Sequence, residues 1–388
     1  MNICIYKHNP RVEVTLKILE SYEEAFLRLG HKVMFLSYDM QNYTPLQARA
    51  VAQEFLDFNA DIALCYGFSA MPEVNGSFFF RKRNIPLIVL CFENPFFGLS
   101  KRILDEIKAH PDYYLFFVWD TCYLDLLRRY VKRCFPIRHA ARMPTDHNVT
   151  NRKIDFQHEV AFVGNIPGKS ATEYGNLGDE SRIDILVDEF ICRKLLESRM
   201  NIIQFLEGSK SKNPKNGMLE KPLYHQGVIY PMYADGLAKY RRAVLNELEM
   251  FNIDCYGDSV WDAPHIRFHG PVSYERELAK VYGSSLVNID IPAFQSIDSV
   301  NNRVFDAGVV NALVLTESKP DLKGVFEDSE AIEYRSIYDL REKIEFYLNN
   351  GSAREDVAEK LHISIRDRHT YRHRVEYIED VLLQEGIL

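Results

Sequence analysis

Five short runs in the first third of the chain are apolar on nearly every successive residue: NICIY (2–6), KVMFL (32–36), DIALC (61–65), PLIVLC (86–91) and YLFFV (114–118). A strand that is apolar on both sides must be covered on both faces, as happens in a parallel sheet flanked by helices. Between the first two runs, Val12, Leu16, Leu19, Tyr22, Phe26 and Leu29 step by three and four, one face of a helix, and Gly30 follows as a stop. Strand, helix, strand in that order predicts βαβ units and a doubly wound α/β domain.

The same grammar restarts at EVAFVG (159–164), after a polar stretch, TDHNVTNRKIDFQH, that reads as a linker. Further strands are expected at NIDCYG (252–257), HIRFHG (265–270), LVNID (286–290) and ALVLT (312–316). Helical patterns fill 180–207 and 232–250 and flank a surface loop, SKSKNPKNG (209–217). The tail from about 337 to 384 is helical, and its Tyr371, Val375, Ile378 and Leu382 form an apolar stripe fit to pack back across another domain. A chain of 388 residues suits two such domains, 1–150 and 151–388. Ligands of open α/β sheets bind beyond the carboxyl ends of the strands, so a cleft between the domains is the expected site.

Composition narrows the function classes. Hydrophobic content of 46% with 26% charged residues excludes wholesale disorder. An excess of 55 acidic over 47 basic residues argues against non-specific nucleic-acid binding. No apolar run approaches the ~20 residues of a membrane span, and no basic-then-apolar leader is present. Seven cysteines without a CxxC pair predict buried thiols in a reducing, cytoplasmic setting.

Two segments carry candidate chemistry. The loop VGNIPGKS (163–170) follows a predicted strand and holds Gly164 and Gly168. Glycine-rich turns of this kind permit close approach to phosphates, but the spacing is neither GxxxxGK[ST] nor GxGxxG. The stretch IPAFQSIDSVNNRVFDAGVVNALVLTE (291–317) places Asp298 and Asp306 seven residues apart. If a helix starts near 301, Ser299 is a good cap and Asn301 to Arg303 lie in its first turn. Arg303 and the helix N-terminus would then stabilise a diphosphate, and Asp306, one turn in, would accept hydrogen bonds from a ribose diol. The plainer alternative is a capped helix with a surface Asp–Arg pair.

Wider context favours the first reading. The order YGDSVW (256–261), HGPVSYEREL (269–278), VYGSSLVNIDI (281–291), NRVFDAG (302–308) and ALVLTE (312–317) resembles the nucleotide-binding half of group 1 glycosyltransferases. It looks most like the spore-maturation CgeB-like branch, whose pattern N-x-R-x-F-E is filled here by Asn301, Arg303, Phe305 and Asp306, with Asp in place of Glu. YRSIYDLREKIEFYLNN (334–350) and HTYRHRVEYI (369–378) are similar to the same branch, whereas the N-terminal half is similar only at CFENPF (91–96).

The resemblance implies a GT-B fold: an acceptor-side Rossmann-like domain at 1–150 facing a donor-binding one at 151–388, with a C-terminal helix crossing back. It implies that Asp306 binds the donor ribose, that Asp298 stands near the donor sugar, and that Arg303 meets the diphosphate. Gly164 and Asn165 would form the first glycine loop, followed by Arg182. Tyr256 and Gly257, then Gly270, Val272 and Tyr274, would line the nucleotide, with Ser299 and Asn301 beside them. The implied reaction is hexosyl transfer from a nucleotide-diphosphate sugar to a glycan, protein or small-molecule acceptor. It is retaining, with no cofactor and no obligatory metal. Glu93 and His8, both following predicted strands, are the candidate acceptor bases. Both carboxylates being Asp shortens their reach by one methylene, and Asn311 stands where the family often has Gly. A sugar-nucleotide epimerase and a decayed, non-catalytic binding protein are the competing readings. The pairs His265/His269 and His369/His373 have i,i+4 spacing but no HExxH context, so no metal site is expected.

Overall fold

Strands β1 (Asn2–Lys7), β2 (Lys32–Ser37) and β3 (Ile62–Tyr66) form where the first apolar runs predict them. A small antiparallel pair, β4 (Glu73–Val74) with β5 (Ser77–Phe78), precedes β6 (Leu87–Cys91) and β7 (Tyr114–Val118). Every residue of β6 and β7 is buried, as continuous apolar runs require. An unanticipated edge strand, β8 (Cys134–Pro136), completes a six-stranded sheet in the order β2-β1-β3-β6-β7-β8. All of its pairings are parallel. Pro136 lacks a donor, so it suits an edge, and three residues are too few to read as a run.

The computed structural model describes all residues except 8–12, 38–43, 69–70, 72, 75–76, 144–156, 167–179, 209–220, 259–262, 276 and 388. His8, Gly168, most of the expected linker and the loop 209–217 therefore lie outside the described residues. The chain divides into two units, Met1–Arg138 with Tyr371–Leu388, and His139–Thr370.

The second unit repeats the plan with β9 (His158–Val163), β10 (Ile253–Tyr256), β11 (Ile266–Gly270), β12 (Ser285–Ile289), β13 (Val314–Glu317) and β14 (Glu333–Tyr334). Their order is β11-β10-β9-β12-β13-β14, again all parallel. Counted within the unit this is 3-2-1-4-5-6, and the winding reverses between β9 and β12. Such a switch point splays the loops at the strand ends apart and leaves a crevice for a ligand.

The expected 180–207 helix is two helices, Glu180–Leu196 and Ile202–Gly208. The chain breaks where Ser198 N–H donates to Arg335 O (2.9 Å) and Lys194 Nζ caps the carbonyls of Ser198 (2.7 Å) and Met200 (3.3 Å). Lys194 also meets Glu317 at the end of β13 (2.8 Å), which is fully buried and accepts from Tyr240 Oη (2.7 Å). Burial pushes the Lys194 ammonium down to about 8, while its partners hold the Glu317 carboxyl low against the opposing effect of burial. Lys319 joins the same carboxylate (3.2 Å) and donates to Ser296 O (2.5 Å), tying down the loop that follows β12.

The tail forms three helices, Ile337–Asn349, Gly351–Arg368 and Tyr371–Gln384. The last belongs to the first unit, where Tyr371, Val375, Ile378 and Leu382 are all buried. Tyr371 packs edge-on against Tyr22 of the Glu13–Arg28 helix (5.2 Å), and Arg374 Nε donates to Arg138 O (3.0 Å).

Candidate functional site

At the β9/β12 switch point, the ends of β9 and β12 meet at one arginine. The Asn302–Val309 helix starts two residues later than a Ser299 cap would place it. Asn301, at φ −80° and ψ 163°, is the N-cap, and its Oδ1 accepts the Arg303 N–H at 2.8 Å. The Ser299 hydroxyl instead donates to Asp321 Oδ2 (2.5 Å), so its capping role is corrected: it secures the loop.

Arg303 reaches back from this first turn to the end of β9. Its Nε donates to Val163 O (2.7 Å) and its Nη1 lies 3.4 Å from Asp290 Oδ1. Asp290, directly after β12, is fully buried and also accepts from Asn301 Nδ2 (3.1 Å) and Thr316 Oγ1 (2.9 Å). Burial raises its carboxyl above the ordinary value, with Arg303 and Thr316 opposing. Arg241, a buried guanidinium, donates to Asn165 O (2.6 Å) and Ile291 O (3.2 Å). Burial, and then the neighbouring Arg303, push it down to about 9. Arg303 is thus the guanidinium on Asp290, while Arg241 spends its donors on the two loop carbonyls. Arg303 Nη2 makes no hydrogen bond to a described residue and is free for a ligand anion.

The glycines hold the β9 and β10 loops close together and make room beside Arg303. Gly164 N–H donates to Tyr256 O (2.8 Å) and Ile166 N–H to Asp258 O (3.2 Å), so these amides serve the fold rather than a phosphate. What Gly164 supplies is room. A Cβ there would lie 2.7 Å from Phe162 Cζ and 3.2 Å from Arg303 Nη2. Gly257, at φ +144°, lets β10 end against that loop, since a Cβ would sit 2.4 Å from Gly164 O. The amide of Asn165 is engaged too: its Oδ1 accepts the Asp258 N–H at 3.2 Å.

Asp306, one turn into the helix, is buried. Tyr274 Oη donates to its Oδ1 (2.7 Å) and Asn302 Nδ2 to its Oδ2 (3.1 Å). Burial raises the carboxyl to about 7 against the opposing effect of those donors and Arg303. Gly270, at φ +80°, accepts the Gly257 N–H (2.9 Å) and starts the loop that carries Tyr274, while Val272 packs against the Ala161, Tyr256 and Val281 cluster.

The other sequence candidates fall as follows. Asp298 lies in the loop after β12, where its carbonyl accepts the Asp321 N–H (3.1 Å). The Tyr256 side chain points to a histidine cluster, with its Oη 3.0 Å from His158 Nε2, so only its carbonyl serves the glycine loop. Arg182 is in the Glu180–Leu196 helix, with its side chain outside the described residues. Glu93 is in the first unit just past β6, where desolvation raises its carboxyl. Asp290 and Arg241 were missed. An Asp closing the strand run LVNID was the available signal for the first; nothing in a helix interior marks the second.

Residues 240–380 match a family model described as glycosyl transferase-like. No curated protein matches the chain by sequence. Among solved structures, sucrose-phosphate synthase from Thermosynechococcus elongatus superposes with a TM-score of 0.52 at 10% identity, covering 99% of each chain. Anabaena HepE in complex with UDP and glucose gives a TM-score of 0.52 at 9% identity, over 99% of this chain and 100% of that one. T4 phage BGT in complex with its UDP-glucose substrate gives 0.50 at 8% identity, covering 99% of each. The fold that these likenesses share with the chain is GT-B, two parallel-sheet Rossmann-like domains in tandem.

Proposed function

We infer that this protein, a nucleotide-sugar-dependent glycosyltransferase of the GT-B fold, takes its donor from a uridine diphosphate sugar held at the β9/β12 switch point. The observation that carries this reading is Arg303: a helix N-terminus and a guanidinium with a free edge meet at one crevice, next to a buried carboxylate one turn on. The choice of uridine draws on the UDP and UDP-glucose complexes of the Anabaena and phage proteins.

Breaking the anomeric carbon–oxygen bond to phosphate builds negative charge on the departing diphosphate and positive charge on the sugar ring. Arg303 Nη2 and the start of the Asn302–Val309 helix stabilise the first without reorganising, because Asn301 and Val163 already hold them in place. These fixed charges make the transfer independent of a divalent ion. Asp306 accepts the ribose hydroxyls once Tyr274 gives way, and Asp298 faces the donor sugar. Glu93, beyond β6, is the candidate acceptor base, and its raised carboxyl suits that task. The ordered motif around Asn301, Arg303, Phe305 and Asp306 supports placement in the CgeB-like branch, with retention at the anomeric carbon. Seven free thiols, five of them buried, support a reducing, cytoplasmic location. No described helix is long and apolar enough to cross a membrane.

The test is UDP release from a panel of UDP-hexoses with and without added glycan, peptide and small-molecule acceptors, read with anomeric proton spectra of any product. Acceptor-dependent release with an unchanged anomeric configuration is expected. Sugar interconversion without lasting UDP release would establish an epimerase instead.

A further inference from the structure

A second polar cluster lies on the β9–β10–β11 side of the same sheet, built from residues that the donor site does not use. His158 opens β9, at the opposite end of that strand from Gly164, while Asp254 is in β10 and His269 in β11. Asp254 pairs in register with Arg267, and His269 is two residues further on, so alternation puts Asp254, Arg267 and His269 on one face, which His158 reaches from the first residue of β9. The register then shifts between Cys255 and Tyr256, leaving His269 as the extra residue of a bulge on an edge strand.

His158 Nδ1 is 3.0 Å from Asp254 Oδ2, and His269 Nε2 is 2.5 Å from Asp254 Oδ1. All three ligand atoms lie within 4.8 Å of one another. Although so close to a carboxylate, the buried Nδ1 makes no hydrogen bond to any described residue; the alignment misses. The other ring nitrogen, Nε2, is met by Tyr256 Oη at 3.0 Å, and the Tyr256 ring stacks on His269 at 4.5 Å and 11°. When Nε2 donates to that phenol, Nδ1 turns a lone pair toward a carboxylate, a repulsive arrangement unless a cation lies between.

We propose that His158, Asp254 and His269 bind a borderline transition-metal dication of the zinc type. Two imidazoles and one carboxylate are a zinc donor set, and at tetrahedral angles ligand bonds of about 2.0–2.2 Å set neighbouring donor atoms roughly 3.3–3.6 Å apart, a few tenths of an ångström beyond the 3.0 Å between Nδ1 and Oδ2. Tyr256 is then the outer partner that fixes the His158 tautomer. His269, 28% exposed, is the entry side and swings outward by roughly one ångström to reach bonding geometry. Arg267 Nη1, 3.4 Å from Asp254 Oδ1, competes for the carboxylate, but at 72% exposure it has solvent to move into. Nitrogen ligands disfavour magnesium and calcium. Bound metal clamps β9, β10 and β11 together without entering the donor crevice.

The experiment titrates the purified chain with Co²⁺ and Zn²⁺ after chelator treatment. One equivalent of Co²⁺ with visible ligand-field bands is expected, along with a melting temperature that rises with Zn²⁺ and not with Mg²⁺. His269→Ala is exposed enough to fold, which its melting temperature in chelator verifies; it should weaken Zn²⁺ binding at least ten-fold. His265→Ala should bind as the parent does, because His265 Nε2 is committed to Leu245 O (3.0 Å). Absence of a bound dication, undiminished binding by folded His269→Ala, or equal stabilisation by Mg²⁺ would each overturn the assignment.

Discussion

The phenol of Tyr274 donates a 2.7 Å hydrogen bond to Asp306 Oδ1, and Asn302 Nδ2 takes the other oxygen at 3.1 Å. Both acceptor positions proposed for the ribose diol are therefore engaged by the protein itself. Tyr274 stands in for one hydroxyl, and donor binding exchanges it.

That exchange is testable with Tyr274→Phe. Losing the competing phenol should tighten UDP binding roughly 3- to 10-fold, the net worth of one hydrogen bond. It should also lower the stability of the free protein by about 1 kcal/mol. Calorimetric titration and thermal melting read the two effects. Weaker UDP binding by the folded variant would mean that Tyr274 holds the nucleotide rather than displacing it.

Asp306 also gives the protein a pH signature. Its carboxyl is raised from 3.8 to about 7 in the folded chain, so between those values the native state binds more protons than the unfolded one. Its contribution is full below pH ~4 and is lost as pH rises through 7, a few kcal/mol in all. Asp306→Asn should flatten that decline in denaturant unfolding measured from pH 4 to 8. A ribose that prefers the ionised carboxylate makes UDP binding release protons near pH 6.5. Calorimetry in buffers of different ionisation enthalpy should show less release for the Asn variant.

Arg303 links stability and turnover. Arg303→Ala removes the nearest cation from fully buried Asp290 and should cost about 2–4 kcal/mol of stability. It should lower UDP release from the donor by about 10²–10³-fold, as expected for loss of a fixed charge at the leaving group. Turnover undiminished in the folded variant would remove Arg303 from the proposed chemistry.

Gly257→Ala probes the close approach of β10 to the glycine loop. An added Cβ falls 2.4 Å from Gly164 O at a φ of +144°, so the variant should lose about 2–4 kcal/mol in denaturant unfolding. A loss below ~0.5 kcal/mol would mean that the loop yields easily.

The sheets were legible because their strands are continuous apolar runs, and β6 and β7 are buried at every position. The short edges β8 and β14 were not, since two or three residues carry no period. Asn301, Arg303 and Asp306 were readable from their spacing around one helix start, although the cap proved to be Asn301 and not Ser299. Asp290, Arg241 and the Tyr274 contact were not, because they depend on which strands become neighbours, and one segment's sequence does not encode that. The partners of Gly164 were not legible for the same reason: its amide goes to β10, and its missing side chain makes room for Arg303.

The most direct test of the central claim is calorimetric titration of UDP into the parent protein and folded Asp306→Ala and Arg303→Ala variants at pH 7.5. The account predicts saturable 1:1 binding by the parent and affinity at least ten-fold weaker, about 1.4 kcal/mol, in each variant. Absence of UDP binding by the parent, or equal affinity across all three proteins, would contradict a uridine nucleotide site at the β9/β12 switch point.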